Sequence, residues 1–137
     1  MSLFNVLDIA GSGMSAQALR LNTTASNMAN AESVSGNSES TYRARQPVFS
    51  AVLQALGETP SGVGVQVNGI VESQVPLRKQ YEPGHPLANE EGYIFLPNVN
   101  MVEEMANMIS ASRAYQSNAE VAKTSKQLLM RTLSLGQ

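Results

Sequence analysis

The chain has no cysteine and no tryptophan, a single histidine, and aromatic residues at only 5% of its 137 positions. Without Cys there are no disulfides, no thiolate metal sites and no thiol nucleophile. The one histidine, His85, sits between Gly84 and Pro86 with no second His or Cys to complete a metal set, so it reads as a hydrogen-bonding plug in a turn. So few aromatics in a chain of one-domain length predict a thin core. Clusters of Lys or Arg are also missing, and with a formal charge of −2 the chain lacks the electrostatic footprint of a nucleic-acid or anionic-membrane binder. No apolar run approaches the ~20 residues that cross a bilayer, so no direct membrane insertion is expected. Met1 to Asn5 carries neither a basic n-region nor a continuous apolar stretch, and Asp8 interrupts the segment early. The expectation is export, if any, by a route that does not read a cleaved signal peptide.

What is present is two helical stripes. Phe4, Leu7, Gly11, Met14, Ala18, Leu21, Ala25 and Met28 alternate at spacings of three and four, the a/d pattern of a coiled coil. Met101, Met105, Met108, Ser112, Tyr115, Ala119, Ala122, Lys126, Leu129 and Leu133 repeat it near the other end. Off the stripes both segments are poor in charge and rich in Asn, Ser, Thr, Gln and Ala, where a solvent-facing helix normally shows Glu and Lys pairs. Such flanks suit helices surrounded by other helices. Seven Met fit the same picture, because Met fills irregular gaps without demanding one shape. Asn22 and Ser26, off the first stripe and one turn apart, are expected to face neighbouring subunits.

The spacing predicts a first helix over about Leu3 to Asn30, weakened by Gly11 and Gly13 at roughly 1 kcal/mol each relative to Ala. Ala31 to Thr41 reads as a loop. Tyr42 to Phe49 reads as extended and Val63 to Val67 as a half-buried strand, with a loop between them at Thr59 to Gly62. Ser50 to Leu56 fits strand and short helix equally. Asn68-Gly69 signals either a hairpin turn or a bulge within one strand. Val75 to Tyr81 is a further strand candidate, closed by Glu82-Pro83-Gly84-His85-Pro86, and Gly92 to Leu96 is a last short apolar piece. From about Asn98 to Leu135 a second helix is predicted, capped by Asn100, with Glu103 and Glu104 complementing its positive end. The fold class is therefore α+β: a first helix in 1–31, a small β-rich middle in 32–97, and a second helix in 98–137, the two helices forming an antiparallel coiled-coil pair.

Catalytic readings lack parts. Gly11-Ser12-Gly13 and Gly62-Val63-Gly64 resemble pieces of phosphate loops, but no Gly-Lys-Ser/Thr follows either. Adjacent acids at Glu90-Glu91 and Glu103-Glu104 point their side chains apart, and a solvated loop and a helix cap explain them. No enzyme activity, cofactor or metal is expected.

These residues resemble a known family, the axial proteins of the bacterial flagellum and, within them, the proximal-rod proteins of the FlgC type. The likeness lies in Ser12-Gly13-Met14-Ser15-Ala16-Gln17, Arg20-Leu21-Asn22 and Ala25-Ser26-Asn27-Met28-Ala29-Asn30-Ala31 at the front. At the back it lies in Pro97 to Met105 and Ser112 to Ala119, and in the middle in Tyr42-Arg43-Ala44-Arg45 and Tyr81-Glu82-Pro83-Gly84-His85-Pro86. The resemblance implies a structural subunit of the basal-body rod that passes torque from the motor toward the hook. It implies terminal helices paired in an inner layer with a small β domain outside, and export through the flagellar type III apparatus. Implied partners are copies of the chain, other rod proteins, and the inner-membrane ring with its rod adapters. The residues expected at assembly interfaces are Phe4, Leu7, Met14, Leu21, Asn22, Ser26, Met28, Met101, Met105, Met108, Tyr115, Leu129 and Leu133. A secreted coiled-coil adaptor or translocator of a type III system is the rival reading, and it should show charged flanking positions that select one partner.

Overall fold

A computed structural model describes residues 3–55 and 60–135 of the chain. Helix α1 spans Leu3–Ala29 and helix α2 spans Met101–Leu135, 27 and 35 residues long. Between them lie strands β1 (Arg45–Ala55), β2 (Pro60–Glu72), β3 (Arg78–Tyr81) and β4 (Tyr93–Leu96), paired antiparallel as two separate two-stranded sheets, β1 with β2 and β3 with β4. The chain is thus two long helices with a small β-rich middle.

Helix α2 starts as its sequence signals. Asn100 Oδ1 accepts from the backbone N–H of Val102 and Glu103 at 3.1 and 3.4 Å, and Glu104 N–H donates to the Asn100 carbonyl at 3.0 Å. Two free donors of the first turn are thereby satisfied, and two carboxylates sit at the positive end of the dipole.

The middle resolves the alternative left open at Ser50 to Leu56 and differs from the sequence reading in two places. Ser50 to Ala55 is strand, while Leu56 lies outside the described residues. Pro60 opens β2, so the loop expected through Gly62 is replaced by strand from Pro60 onward, and Thr59 lies outside the described residues. Proline is tolerated there because a strand's first residue need not donate to the ladder. Only Arg78–Tyr81 of the Val75 to Tyr81 candidate forms a strand, since Pro76 interrupts the segment. The ambiguity at Asn68-Gly69 resolves as a bulge: Val48 pairs with Gly69 and Phe49 with Val67, leaving Asn68 as the extra residue. Gly69 there has φ +153°, open to glycine.

Burial is small, as the aromatic count predicts. The apolar core at the joint between helices and strands consists of Ala31, Ala44 and Val99 with Tyr42 packed against them. Polar side chains do much of the tying. Asn27 is 1% exposed, donates from Nδ2 to the Arg45 carbonyl at 2.8 Å, and accepts at Oδ1 from Arg45 N–H and Tyr42 Oη–H, both at 2.9 Å. Asn98 accepts from Ala44 N–H at 2.8 Å and donates to the Val75 carbonyl at 2.7 Å. Arg78 donates to the carbonyls of Pro97 and Ala31, each at 3.1 Å. Three side chains from the end of α1, the approach to α2 and β3 thus hold backbone that would otherwise leave its polar groups unpaired.

Candidate assembly interface

Helix α1 presents three different faces. Toward α2, an added Cβ at Gly13 would lie 2.8 Å from Asn118 Nδ2, and Arg20 Nη2 donates to Asn107 Oδ1 at 2.8 Å. Because the later residue of α1 meets the earlier residue of α2, the helices run in opposite directions at these contacts. Toward the β1/β2 hairpin, Ser12 Oγ accepts from Val65 N–H at 3.1 Å, and a Cβ at Gly62 would meet Ile9 Cδ1 at 2.6 Å. The third face carries the apolar stripe.

The contact residues are small or polar, and each stands one position before a stripe residue. Gly13 precedes Met14, Arg20 precedes Leu21, Asn107 precedes Met108 and Asn118 precedes Ala119. Successive residues of an α-helix are turned by about 100°, so the stripe residues that follow the contact positions are rotated off the contact by that angle, whereas Ala122 and Leu129, four and eleven positions after Asn118, return to the contact face of α2. In two helices running oppositely, the same one-residue turn carries both stripes to the same side of the pair. Ser12 precedes Gly13 in turn, which puts the hairpin on the opposite flank. In cross-section the chain is a hairpin, a helix pair, and an apolar flank with no other described element of this chain upon it. Ala111, wholly buried, and Ser125 and Glu104, both buried, fall on the contact face of α2 one position before Ser112, Lys126 and Met105.

The residues expected at assembly interfaces are distributed accordingly. Leu7, Met14, Leu21, Met28, Met108 and Leu129 are half-buried, and Phe4, Asn22, Met101, Met105, Tyr115 and Leu133 are exposed, Phe4 at 67%. Ser26 differs from the others: its Oγ lies 3.2 Å from Tyr42 Oη, so it serves the joint within the chain. The sequence reading missed Asn27 and Asn98 as organisers of that joint. Their only sequence signal is that both stand inside the motifs that carry the family resemblance.

Clefts around the joint are shallow and polar. One of about 530 Å³ is bordered by Asn30, Ser35, Glu39, Thr41, Arg43 and Arg45. Among the described residues no three His, Asp or Glu side chains converge on a metal position. His85 Nδ1 accepts from Leu87 N–H at 3.1 Å, bracing the turn after β3.

Comparison with known proteins agrees with this division into terminal helices and middle. Residues 7–36 match the family model described as flagella basal body rod protein, and residues 90–135 match that of the flagellar basal body rod FlgEFG protein C-terminal. The chain is 52% identical to the flagellar basal-body rod protein FlgC of Yersinia enterocolitica and 51% identical to that of Salmonella typhimurium, over the full length of both partners in each comparison. It is 44% identical to FlgC of Aquifex aeolicus over 96% of each chain. The chain belongs to the FlgC family of flagellar basal-body rod proteins. As a member of that family it is a structural subunit of the flagellar rod, assembling with other rod proteins and with itself. No helix among the described residues is long and apolar enough to cross a membrane.

Proposed function

We propose that this rod subunit works in the proximal rod by wedging its helix pair among copies and relatives, so that torque entering at the inner-membrane ring is passed on toward the hook without slip. The observation that supports this most is the shared flank: Leu7, Met14, Leu21 and Met28 of α1 and Met105, Met108 and Tyr115 of α2 lie on one side of the pair, and no other described element of the chain packs there. Contiguous apolar surface on one side of a small protein marks an interaction site. Neighbouring subunits laid against this flank would complete the inner coiled-coil layer of the rod, the stripes acting as a and d positions between chains. The hairpin, on the far flank, would then face outward. The same reading has the chain cross the inner membrane unfolded through the flagellar type III apparatus, with no cleaved signal, and contact the inner-membrane ring and its rod adapters.

Replacement of Leu21 or Met105 by Asp tests this. Both residues lie off the α1–α2 contact, so the lone chain should be produced and exported as usual. In the rod an unpaired carboxylate would be buried at a cost of several kcal/mol per copy. Loss of swimming with normal amounts of exported protein is the expected outcome, and normal swimming from either variant would sink the proposal.

A further inference from the structure

Among the described residues, the outer edges of β1 and β3 offer matching hydrogen-bonding groups. On the hairpin, Val65 N–H points to Ser12 and therefore away from β1. The Ala51–Val65 pair is then one of the non-hydrogen-bonded pairs of an antiparallel ladder, and Ala51 N–H and C=O point out of the hairpin, as do those of Phe49 two residues earlier. At Arg45 the corresponding outward groups are taken by the Asn27 amide, and Pro47 has no N–H to offer. The open stretch thus begins at Phe49. On the small sheet, Phe95 exchanges both backbone bonds with Ser35, at 3.0 and 2.8 Å, and these point away from β3. The Lys79–Phe95 pair is therefore also non-hydrogen-bonded, and the backbone groups of Lys79 and Tyr81 point outward from β3, all four of whose residues are exposed.

The faces beside these edges are apolar. Register puts Phe49, Ala51, Val65 and Val67 on one face of the hairpin. It puts Tyr81, Tyr93, Phe95 and Lys79 on one face of the small sheet, with the two Tyr rings 5.1 Å apart and Lys79 Nζ 3.9 Å from the Tyr93 ring centre. Tyr81 is 62% exposed, and a two-stranded sheet with an open edge is unstable against further pairing.

We propose that β1 of one copy pairs antiparallel with β3 of a second copy, Phe49 opposite Tyr81 and Ala51 opposite Lys79. All four outward N–H and C=O pairs would then be satisfied, and the apolar hairpin face would run on into the aromatic face of the neighbour. The two patches differ, so the contact is heterologous, the kind that builds an open helical assembly when its rotation does not close into a ring. This inference rests on the rod reading, in which copies stand side by side.

The lack of Cys in the chain gives a direct test. Residues opposite each other in such a pair have Cα atoms about 5.5 Å apart, within disulfide reach. Basal bodies are isolated from cells carrying Ala51→Cys with Lys79→Cys, and separately Gln66→Cys with Lys79→Cys, then oxidised mildly and resolved on a non-reducing gel probed for this chain. Disulfide-linked multiples of the subunit from the first pair, and monomer from the second, are expected. Monomer alone from the first pair in basal bodies that contain it overturns the pairing while leaving the rod reading intact. An adduct with a different protein overturns self-pairing. As a second reading, Ala51→Pro removes an outward donor without touching the hairpin ladder, whereas Ala51→Val keeps it. Basal-body yield should fall several-fold with Pro and hold with Val, and equal yields would also overturn the proposal.

Discussion

Single residues decide how the strands are joined to the helices. Asn27 is buried with both ends of its amide used, and its partners, the Arg45 backbone and the Tyr42 hydroxyl, are themselves at the joint. Replacing Asn27, itself 1% exposed, by Leu leaves the Arg45 N–H and C=O without the partners they have in the fold. Each such orphan costs about 1–3 kcal/mol, so a loss of roughly 3 kcal/mol is expected. Asn22→Ala, at an exposed position of the same helix, should stay within about 0.5 kcal/mol. Urea unfolding followed by circular dichroism compares the two, and equal midpoints would show that the joint is not held this way. Two glycines of α1 divide similarly. Gly11 has open space where a Cβ would go, so Gly11→Ala should raise the stability of the lone chain by about 0.5–1 kcal/mol. Gly13→Val has no such freedom, because its side chain would displace Asn118, and it should lower the melting temperature where Gly11→Ala raises it.

At the scale of elements, each helix and most strands are legible in the sequence, but not how the helices turn toward each other. Periodicity reports that the stripe through Met14, Leu21, Met105 and Met108 needs covering. It does not report by what. The contact within the chain falls instead on Gly13, Arg20, Asn107 and Asn118, a small and polar set that no hydrophobic pattern marks, and a side-chain hydrogen bond joins two of them. Strand ends are hard to place where a proline stands at a boundary, because Pro60 can begin a strand as easily as it can punctuate a loop. The length difference between the helices has a dynamic consequence. Pairing of Gly13 with Asn118 and of Arg20 with Asn107 leaves the last turns of α2 beyond the start of α1, and Leu128, Met130, Leu133 and Leu135 there are exposed. A helical turn without tertiary contact frays, since isolated helices are marginal in water. Amide exchange in the dilute chain should therefore be fastest in α2 after Ser125 and slowest near Asn27 and Ala111. Uniform protection along α2 would mean that the overhang is covered within the monomer.

At the scale of the whole molecule, the chain has little charge to organise an assembly. Charged residues make up 15% of it, and among the described residues only two ion pairs form, Arg45–Glu72 at 3.4 Å and Lys79–Glu91 at 4.0 Å, with each of these side chains about half exposed or more. Pairs of that kind contribute about 0–1 kcal/mol each and are screened further by salt. The apolar flank built from Leu7, Met14, Leu21, Met28, Met105, Met108 and Tyr115 is different, because burial of apolar surface yields roughly 25 cal/mol per Å² and does not depend on ionic strength. Cohesion of this subunit with its neighbours should accordingly be insensitive to salt and sensitive to agents that solvate apolar and peptide groups. Isolated basal bodies washed at about 0.1 M and about 1 M sodium chloride, where the screening length falls from about 10 to about 3 Å, should retain the same amount of the subunit. Urea, which weakens apolar burial directly, should release it at concentrations that leave the salt-washed sample intact. Loss of the subunit in high salt with retention in urea would mean that charges, and not the shared apolar flank, hold it in the rod.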